Sequence, residues 1–228
     1  MVVGNGLLAK AFSEYSNNND VIIYASGVSN STEKSKEVFQ RETNLLKECI
    51  SKNKNKLIIY FSTCSVSDVD LKGSDYVLHK LNTEKFIQNN VDKFIIFRLP
   101  IVVGKTDNKF TLFNFFKNKI SKNEEVTIQK NATRYLVDID DVFKVLSKVI
   151  NSNQFTNCII ECSFSQKISV ISMVDIIKKV YNSSSEISLT EGGGNYDVDN
   201  SMISPFLDDK MHDENYNESI IKKYINHE

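Results

Sequence analysis

Short apolar runs alternate with stretches of helical spacing through the first hundred residues, and this alternation limits the possible folds more than any other feature. The uninterrupted apolar runs occupy residues 2–3, 21–25, 57–61 and 94–97, and the last run continues through Arg98 to Leu99. A run without polar residues predicts a strand buried on both faces, which is typical of parallel sheets. Apolar residues recur at helical intervals between these runs, most clearly over residues 37–52 and 76–88. The pattern therefore predicts an α/β fold with a parallel sheet flanked by helices.

The composition argues against two classes of partner. The formal net charge is -1, so no large basic field points to nucleic acid. No apolar run reaches the ~18 residues that a membrane-spanning helix needs. The apolar start of the chain is also too short for a signal peptide. We therefore expect neither a nucleic-acid nor a membrane partner.

Cysteine and histidine usage suggests a reduced protein without a metal site. The four cysteines, Cys49, Cys64, Cys158 and Cys162, form no C-x-x-C pair, so we expect buried thiols in a cytoplasmic protein. The three histidines, His79, His212 and His227, lack metal-ligand spacing. No metal cofactor is expected.

A glycine-rich loop follows the first apolar run and opens the first helical stretch. It reads Gly4-Asn5-Gly6-Leu7-Leu8-Ala9, and it fits a dinucleotide loop in which one glycine makes the turn and the next lets the backbone approach a pyrophosphate. An ordinary strand-to-helix turn is the alternative. The acid expected ~20 residues further on, which binds the ribose, is replaced by Tyr24-Ala25-Ser26. The choice between NAD and NADP therefore stays open.

Tyr76 and Lys80 form a second motif. Residues four apart on a helix share one face, and an adjacent ammonium favours the phenolate form of a tyrosine, which suits acid/base catalysis. Thr63 ends the preceding strand, where its hydroxyl could hold a reacting oxygen. The alternatives are a packed aromatic ring for Tyr76, a solvated side chain for Lys80 and a strand-end cap for Thr63. Because ligands bind at the carboxyl ends of parallel strands, we favour a catalytic trio.

These motifs, taken in order, resemble the short-chain dehydrogenase/reductase superfamily, and within it the nucleotide-sugar epimerase, dehydratase and reductase group. The similar segments are the glycine loop, residues 21–31, 42–46, 61–66, the Tyr76–Lys80 pair, and residues 98–104 and 134–142. The resemblance implies a Rossmann-like sheet and an NAD or NADP cofactor. On it, residues 1–104 form the cofactor-binding core of a single domain spanning 1–228, and residues 105–228 complete the core and add a small α+β substrate cap.

The resemblance also assigns site residues. The catalytic residues would be Thr63, Tyr76 and Lys80. The cofactor would contact Gly4, Asn5, Gly6, Leu7, Leu8, Ala25, Ser26, Gly27, Lys80, Leu99 and Pro100. The substrate would contact Thr63, Cys64 and Arg134, whose guanidinium would grip a pyrophosphate. A surface ion pair of Arg134 with Asp138 or Asp140 is the alternative.

Departures from the family pattern narrow the expected reaction. If residues 21–31 match the family's fourth strand, its second and third strands are absent. Cys64 and Ser65 stand where sugar dehydratases place an acid pair, which disfavours water elimination. Ile101 replaces a substrate-contacting asparagine found in many relatives.

The implied function is an NAD(P)-dependent oxidoreductase acting on a nucleotide-activated sugar, through keto-sugar reduction in surface polysaccharide precursor synthesis. A nucleotide-sugar epimerase and a non-catalytic dinucleotide-binding module are the alternatives. Relatives pair through two helices, which correspond here to residues 37–52 and 76–88, so a homodimer is expected.

Overall fold

The computed structural model describes residues 1–225, so His227 lies outside the described part of the chain. The strands in chain order are β1 (Val2–Val3), β2 (Val21–Tyr24), β3 (Leu57–Thr63), β4 (Phe94–Leu99), β5 (Ile101–Val103), β6 (Val126–Gln129), β7 (Thr133–Arg134), β8 (Leu136–Asp138), β9 (Cys158–Glu161), β10 (Ile168–Ser169) and β11 (Ile187–Thr190). The α-helices are α1 (Leu7–Ala11), α2 (Lys36–Lys52), α3 (Asp75–Asn90), α4 (Leu112–Ile120), α5 (Ile139–Asn151), α6 (Val170–Tyr181) and α7 (Tyr216–Ile225).

The central sheet has five parallel strands in the order β1-β2-β3-β4-β9. Its strands are buried as the apolar runs predict; Ile22, Ile23 and Tyr24 of β2, for example, are each 0% exposed. The predicted parallel α/β sheet of Rossmann type is therefore confirmed. Within residues 1–225 the sheet ends at β1, because β1 pairs only with β2. The sheet thus lacks the two strands whose absence the sequence predicts.

Some helices begin or end at other residues than the sequence predicts, because a 3-10 turn or a capping side chain sets the boundary. The sequence after the glycine loop predicts a helix over residues 7–15, but this helix ends at Ala11 and gives way to a 3-10 turn, Ser13–Asn17. The aromatic-rich segment 110–120 is also predicted to be helical. Its helix begins at Leu112, because the Thr111 side chain accepts a hydrogen bond from the Asn114 N–H and caps it there. Strands β5, β7, β10 and β11 were not predicted from the sequence.

Both halves of the chain build the same core. Strand β9 joins the sheet from the second half by pairing with β4. The largest hydrophobic cluster includes Phe97 of β4, Phe113 of α4, Val145 of α5 and Ile221 of α7. The division into a cofactor-binding part and a substrate cap stays a prediction. Among residues 1–225, none of the helices combines the length and the apolar character that crossing a bilayer requires.

Two buried carboxylates tie the last helix to the core. Asp138, at the end of β8, accepts hydrogen bonds from Tyr224 at 2.7 Å and from Lys223 at 2.6 Å. Asp141, on α5, accepts one from Tyr216 at 2.9 Å and pairs with Lys210. Because a buried charge that loses its partner is strongly destabilising, helix α7 and the turn before it are required by the core.

Candidate functional site

A cavity of about 340 Å³ opens at the carboxyl ends of β2, β3 and β4. Its wall brings together most of the residues that the sequence assigns to the site. Those on the wall are Gly6, Leu7, Leu8, Ala25, Gly27, Thr63, Tyr76, Lys80, Leu99, Pro100 and Arg134. A position beyond the carboxyl ends of parallel strands is where α/β sheets bind their ligands.

The two glycines of the loop have different surroundings. Gly4 has a φ of +127°, and a Cβ placed there would lie 2.5 Å from the backbone oxygen of Ala25. Glycine is therefore required at this position by the packing of β1 against β2. A Cβ placed on Gly6 would meet no atom within 4 Å, so Gly6 leaves open space on the cavity wall. Gly4 serves the fold, whereas Gly6 leaves room for a ligand.

Helix α3 carries Tyr76 and Lys80 on its buried face. The helix begins after Ser74, whose side chain accepts a hydrogen bond from the Val77 N–H. Tyr76 is 7% exposed and Lys80 is 2% exposed, and both reach the cavity wall. The Lys80 Nζ lies 6.0 Å from the centroid of the Tyr76 ring. The structure thus places the phenol and the ammonium side by side in the cavity.

Thr63 ends strand β3 and reaches the same cavity. Its Oγ1 accepts a hydrogen bond from the Ser65 N–H at 3.1 Å, which starts the 3-10 turn Cys64–Ser67. Since this bond uses a lone pair of the hydroxyl, its proton remains available to a ligand. Thr63 can therefore donate to an oxygen atom held beside Tyr76.

Cys64 is placed differently. It is 1% exposed, and its thiol donates to the Arg98 carbonyl at 3.1 Å. Burial raises the pKa of the Cys64 thiol to about 12. The structure therefore does not bring Cys64, predicted to contact the substrate, to the cavity wall. Three residues predicted to contact the cofactor, Gly4, Asn5 and Ser26, also lie off the wall.

Arg134 lies on β7 at the cavity wall and is held by three contacts. Its Nη1 donates to the carbonyls of Thr133 at 2.7 Å and Gly194 at 2.9 Å. Its Nη2 is 3.6 Å from Oδ2 of the buried Asp68. The carboxylates of Asp138 and Asp140, the alternative partners considered from sequence, pair with Lys223 instead.

Sequence reasoning missed a buried polar network beneath the cavity. Glu42 of α2 is 0% exposed and accepts hydrogen bonds from Tyr60 at 2.7 Å and from Lys80 at 3.4 Å. Its other oxygen accepts from the Val28 N–H at 2.6 Å and lies 2.9 Å from His79 Nε2. One signal was available, because Glu42 interrupts the apolar stripe of a helix otherwise buried through Leu46 and Cys49. Within the described chain, His, Cys, Asp and Glu form no cluster suited to a metal ion.

The buried Glu42 carboxylate should make the free energy of unfolding depend on pH in the acidic range. Burial alone would raise the pKa of Glu42, but the Lys80 ammonium, His79, the Val28 N–H and Tyr60 together lower it to about 2. A lowered folded-state pKa gives stability that is present above about pH 4.5, the ordinary value, and is lost as the pH falls toward 2. We expect roughly 3 kcal/mol of the free energy of unfolding to disappear over this interval.

Urea denaturation between pH 5 and pH 3 measures this loss. Glu42→Gln should be less stable at every pH but show a shallower loss toward acid. Glu48→Gln is the matched control, since Glu48 lies exposed on the same helix and pairs with Lys52. Equal slopes for the wild type and Glu42→Gln would contradict the expectation.

Comparison with known proteins places the fold. No protein-family model matches the chain, and no curated protein matches it. Among solved structures, RMD from Pseudomonas aeruginosa in complex with NADPH is 12% identical with a TM-score of 0.70, and the match covers 98% of this chain and 86% of that one. UDP-glucuronic acid 4-epimerase from Bacillus cereus, in complex with UDP-glucuronic acid and NAD, is 17% identical with a TM-score of 0.70 and coverages of 95% and 77%.

A third match is UDP-N-acetylglucosamine 4-epimerase from Methanobrevibacter ruminantium, in complex with UDP-N-acetylmuramic acid. It is 15% identical, with a TM-score of 0.67 and coverages of 98% and 81%. At these identities the similarity is one of fold. The chain therefore has the fold of RMD and of these UDP-sugar epimerases, as the sequence resemblance predicts.

Proposed function

We propose that this protein is an NAD(P)-dependent oxidoreductase of the short-chain dehydrogenase/reductase type that acts on a nucleotide-activated sugar. The observation that carries the proposal is the meeting of Tyr76, Lys80 and Thr63 on one cavity wall beside Gly6. The similar structures support it, since they include complexes with NADPH, with NAD and with UDP-sugars. Within this class we favour keto-sugar reduction in surface polysaccharide precursor synthesis.

The residues present fit a dinucleotide. The open space at Gly6 leaves room for a pyrophosphate against the backbone, and Ala25, Gly27, Leu99 and Pro100 supply further wall. When bound, the nicotinamide supplies or accepts the hydride. Tyr24, Ala25 and Ser26 carry no charge that would select between a ribose hydroxyl and a ribose phosphate. The proposal therefore includes either NAD or NADP.

The side chains on the wall have distinct roles in reduction. A carbonyl that gains a hydride at carbon needs a proton at oxygen, and the Tyr76 hydroxyl provides it. The phenolate that remains is stabilised by the nearby Lys80 ammonium. Thr63 donates a hydrogen bond to the same substrate oxygen and orients it. The carbonyl thus gains one hydride at carbon and one proton at oxygen, which together give the alcohol product.

The proposal extends to the substrate, the compartment and the assembly. Arg134 would bind the diphosphate of the sugar nucleotide, because a guanidinium suits phosphate oxygens. A cytoplasmic location is supported by the four cysteines, all of which are free thiols. A homodimer through α2 and α3 is supported by Leu78 of α3, an apolar side chain that is 46% exposed.

Titration with NADH and with NADPH, followed by thermal shift, tests cofactor binding. A ligand that binds only the folded state at 100 times its Kd adds about 2.7 kcal/mol of stability, so we expect a clear rise in Tm with at least one of them. Stabilisation by neither would contradict the proposal and favour a module without turnover.

Absorbance at 340 nm then separates the two chemistries. A reductase given a nucleotide-linked keto-sugar consumes reduced nicotinamide in step with product. An epimerase converts its sugar with no net change in nicotinamide absorbance. That outcome would contradict the proposed reduction and identify the reaction as an epimerisation.

A further inference from the structure

We propose that Glu42 is a positioning residue of the catalytic centre, which holds the Lys80 ammonium and the cavity loop at Val28 and thereby limits the charge that Lys80 presents to Tyr76. The inference rests on the proposed function, in which Tyr76 transfers the proton. Glu42 comes from α2, an element to which the sequence assigned no catalytic or binding residue.

Each oxygen of the Glu42 carboxylate serves a different part of the site. Oε1 accepts from Lys80 at 3.4 Å and from Tyr60 at 2.7 Å, and Lys80 also donates to Tyr60 at 3.0 Å. Oε2 accepts from the Val28 N–H at 2.6 Å. One carboxylate therefore fixes the ammonium and the backbone of the loop that lines the cavity.

The surroundings leave Lys80 little freedom. Glu42 and Tyr60 are 0% exposed, and the Lys80 Nζ lies 5.1 Å from the Tyr60 ring centroid. A Cβ placed on Gly27 would come within 2.7 Å of the Lys80 Nζ and 3.2 Å of Glu42 Oε1. The loop therefore closes directly over the ion pair, and this packing holds the distance between Lys80 and Tyr76.

The charged and titratable groups around the pair come from four elements. The Tyr24 hydroxyl of β2 donates to the Glu42 backbone carbonyl at 2.9 Å. Lys80 faces Glu42 from α2, Tyr60 from β3 and Tyr76 from its own helix. Glu42 also faces His79, whose ring stacks on Phe39 at 4.6 Å between centroids. With Glu42 ionised, the negative carboxylate offsets the positive charge of Lys80. A variant that loses this carboxylate would leave Tyr76 beside an unpaired ammonium.

Ultraviolet titration of the Tyr76 phenolate tests the inference without any substrate. The chain has no tryptophan, so phenolate absorbance near 295 nm can be followed, and subtracting the titration of the matching Tyr76→Phe protein isolates Tyr76. In Glu42→Gln the uncompensated Lys80 should bring the phenolate signal to a pH lower by about one unit. Glu42→Asp keeps the charge but shortens the reach, so we expect a smaller shift in the same direction.

Glu48→Gln is the matched control and should titrate as the wild type does. A folded Glu42→Gln protein with an unchanged Tyr76 titration would overturn the inference and leave Glu42 a structural residue. Should Glu42→Gln fail to fold, Glu42→Asp decides, and a wild-type titration of that variant would likewise overturn it. Since the readout needs neither cofactor nor turnover, a failure of the proposed function would be seen separately.

Discussion

Replacing Tyr76 by phenylalanine is expected to lower kcat by about 10²–10⁴-fold, the range over which a positioned proton donor contributes. The change removes only the hydroxyl. The ring remains packed with Val28 and Val77, so the fold should be retained. Among residues 1–225, no group forms a hydrogen bond with the Tyr76 hydroxyl. Removing this hydroxyl therefore leaves no described protein group unpaired. Steady-state turnover measures the effect, and thermal shift with NADH and NADPH shows whether the cofactor still binds.

Tyr15→Phe is the matched control for this prediction. Tyr15 is also 7% exposed, but its hydroxyl lies against Asn151, outside the cavity. The control should keep wild-type kcat. A Tyr76→Phe protein with full turnover would exclude Tyr76 as the proton donor.

Gly4→Ala is expected to destabilise the protein by about 2–4 kcal/mol. The backbone φ of +127° disfavours any L side chain, and the new Cβ would press on the Ala25 oxygen at 2.5 Å and its carbonyl carbon at 2.7 Å. Since both contacts are backbone atoms of the neighbouring strand connection, β1 and β2 would have to separate. Urea denaturation measures the lost stability.

Gly6→Ala separates binding from folding. A Cβ at Gly6 meets open space, so we expect wild-type stability. We also expect at least ~10-fold weaker NADH and NADPH binding, since the methyl group would occupy the room that we propose for the pyrophosphate. Equal stability losses in the two variants would contradict the different roles assigned to the glycines. Unchanged dinucleotide binding by Gly6→Ala would contradict its place in the cofactor site.

The sheet could be predicted because its central strands each contain an uninterrupted apolar stretch. A run such as Ile58, Ile59 and Tyr60 is buried on both faces, and few other arrangements accommodate it. Strands β5 and β10 could not be predicted, because two or three residues carry no period. They form only because distant segments lie beside them, as when Ile101 pairs with Leu136.

The site shows the same division between local and distant information. Helical spacing alone predicts that Tyr76 and Lys80 lie on one face of a helix. The position of Thr63 at a strand end predicts that it lies at the ligand-binding edge of the sheet. Cys64 was expected to contact the substrate, but successive side chains at a strand end point in opposite directions. Because the Thr63 hydroxyl lines the cavity, its neighbour turns inward to Arg98.

Glu42 is the instructive omission. A glutamate in a helix is ordinarily solvated, so its position on the apolar stripe of α2 hinted at burial but did not identify its partners. Its partners Val28, Tyr60 and Lys80 come from three separate segments of the chain. Only the assembled fold shows that they surround one carboxylate.

The ties between helix α7 and the two buried aspartates have a consequence for the order of folding during synthesis. Asp138 and Asp141 emerge from the ribosome long before Lys210, Tyr216, Lys223 and Tyr224, which neutralise and hydrogen-bond them. Until those residues are made, burying the aspartates would leave two charges without partners. We therefore expect the nascent chain to keep the region around β8 and α5 open to water until α7 has been translated.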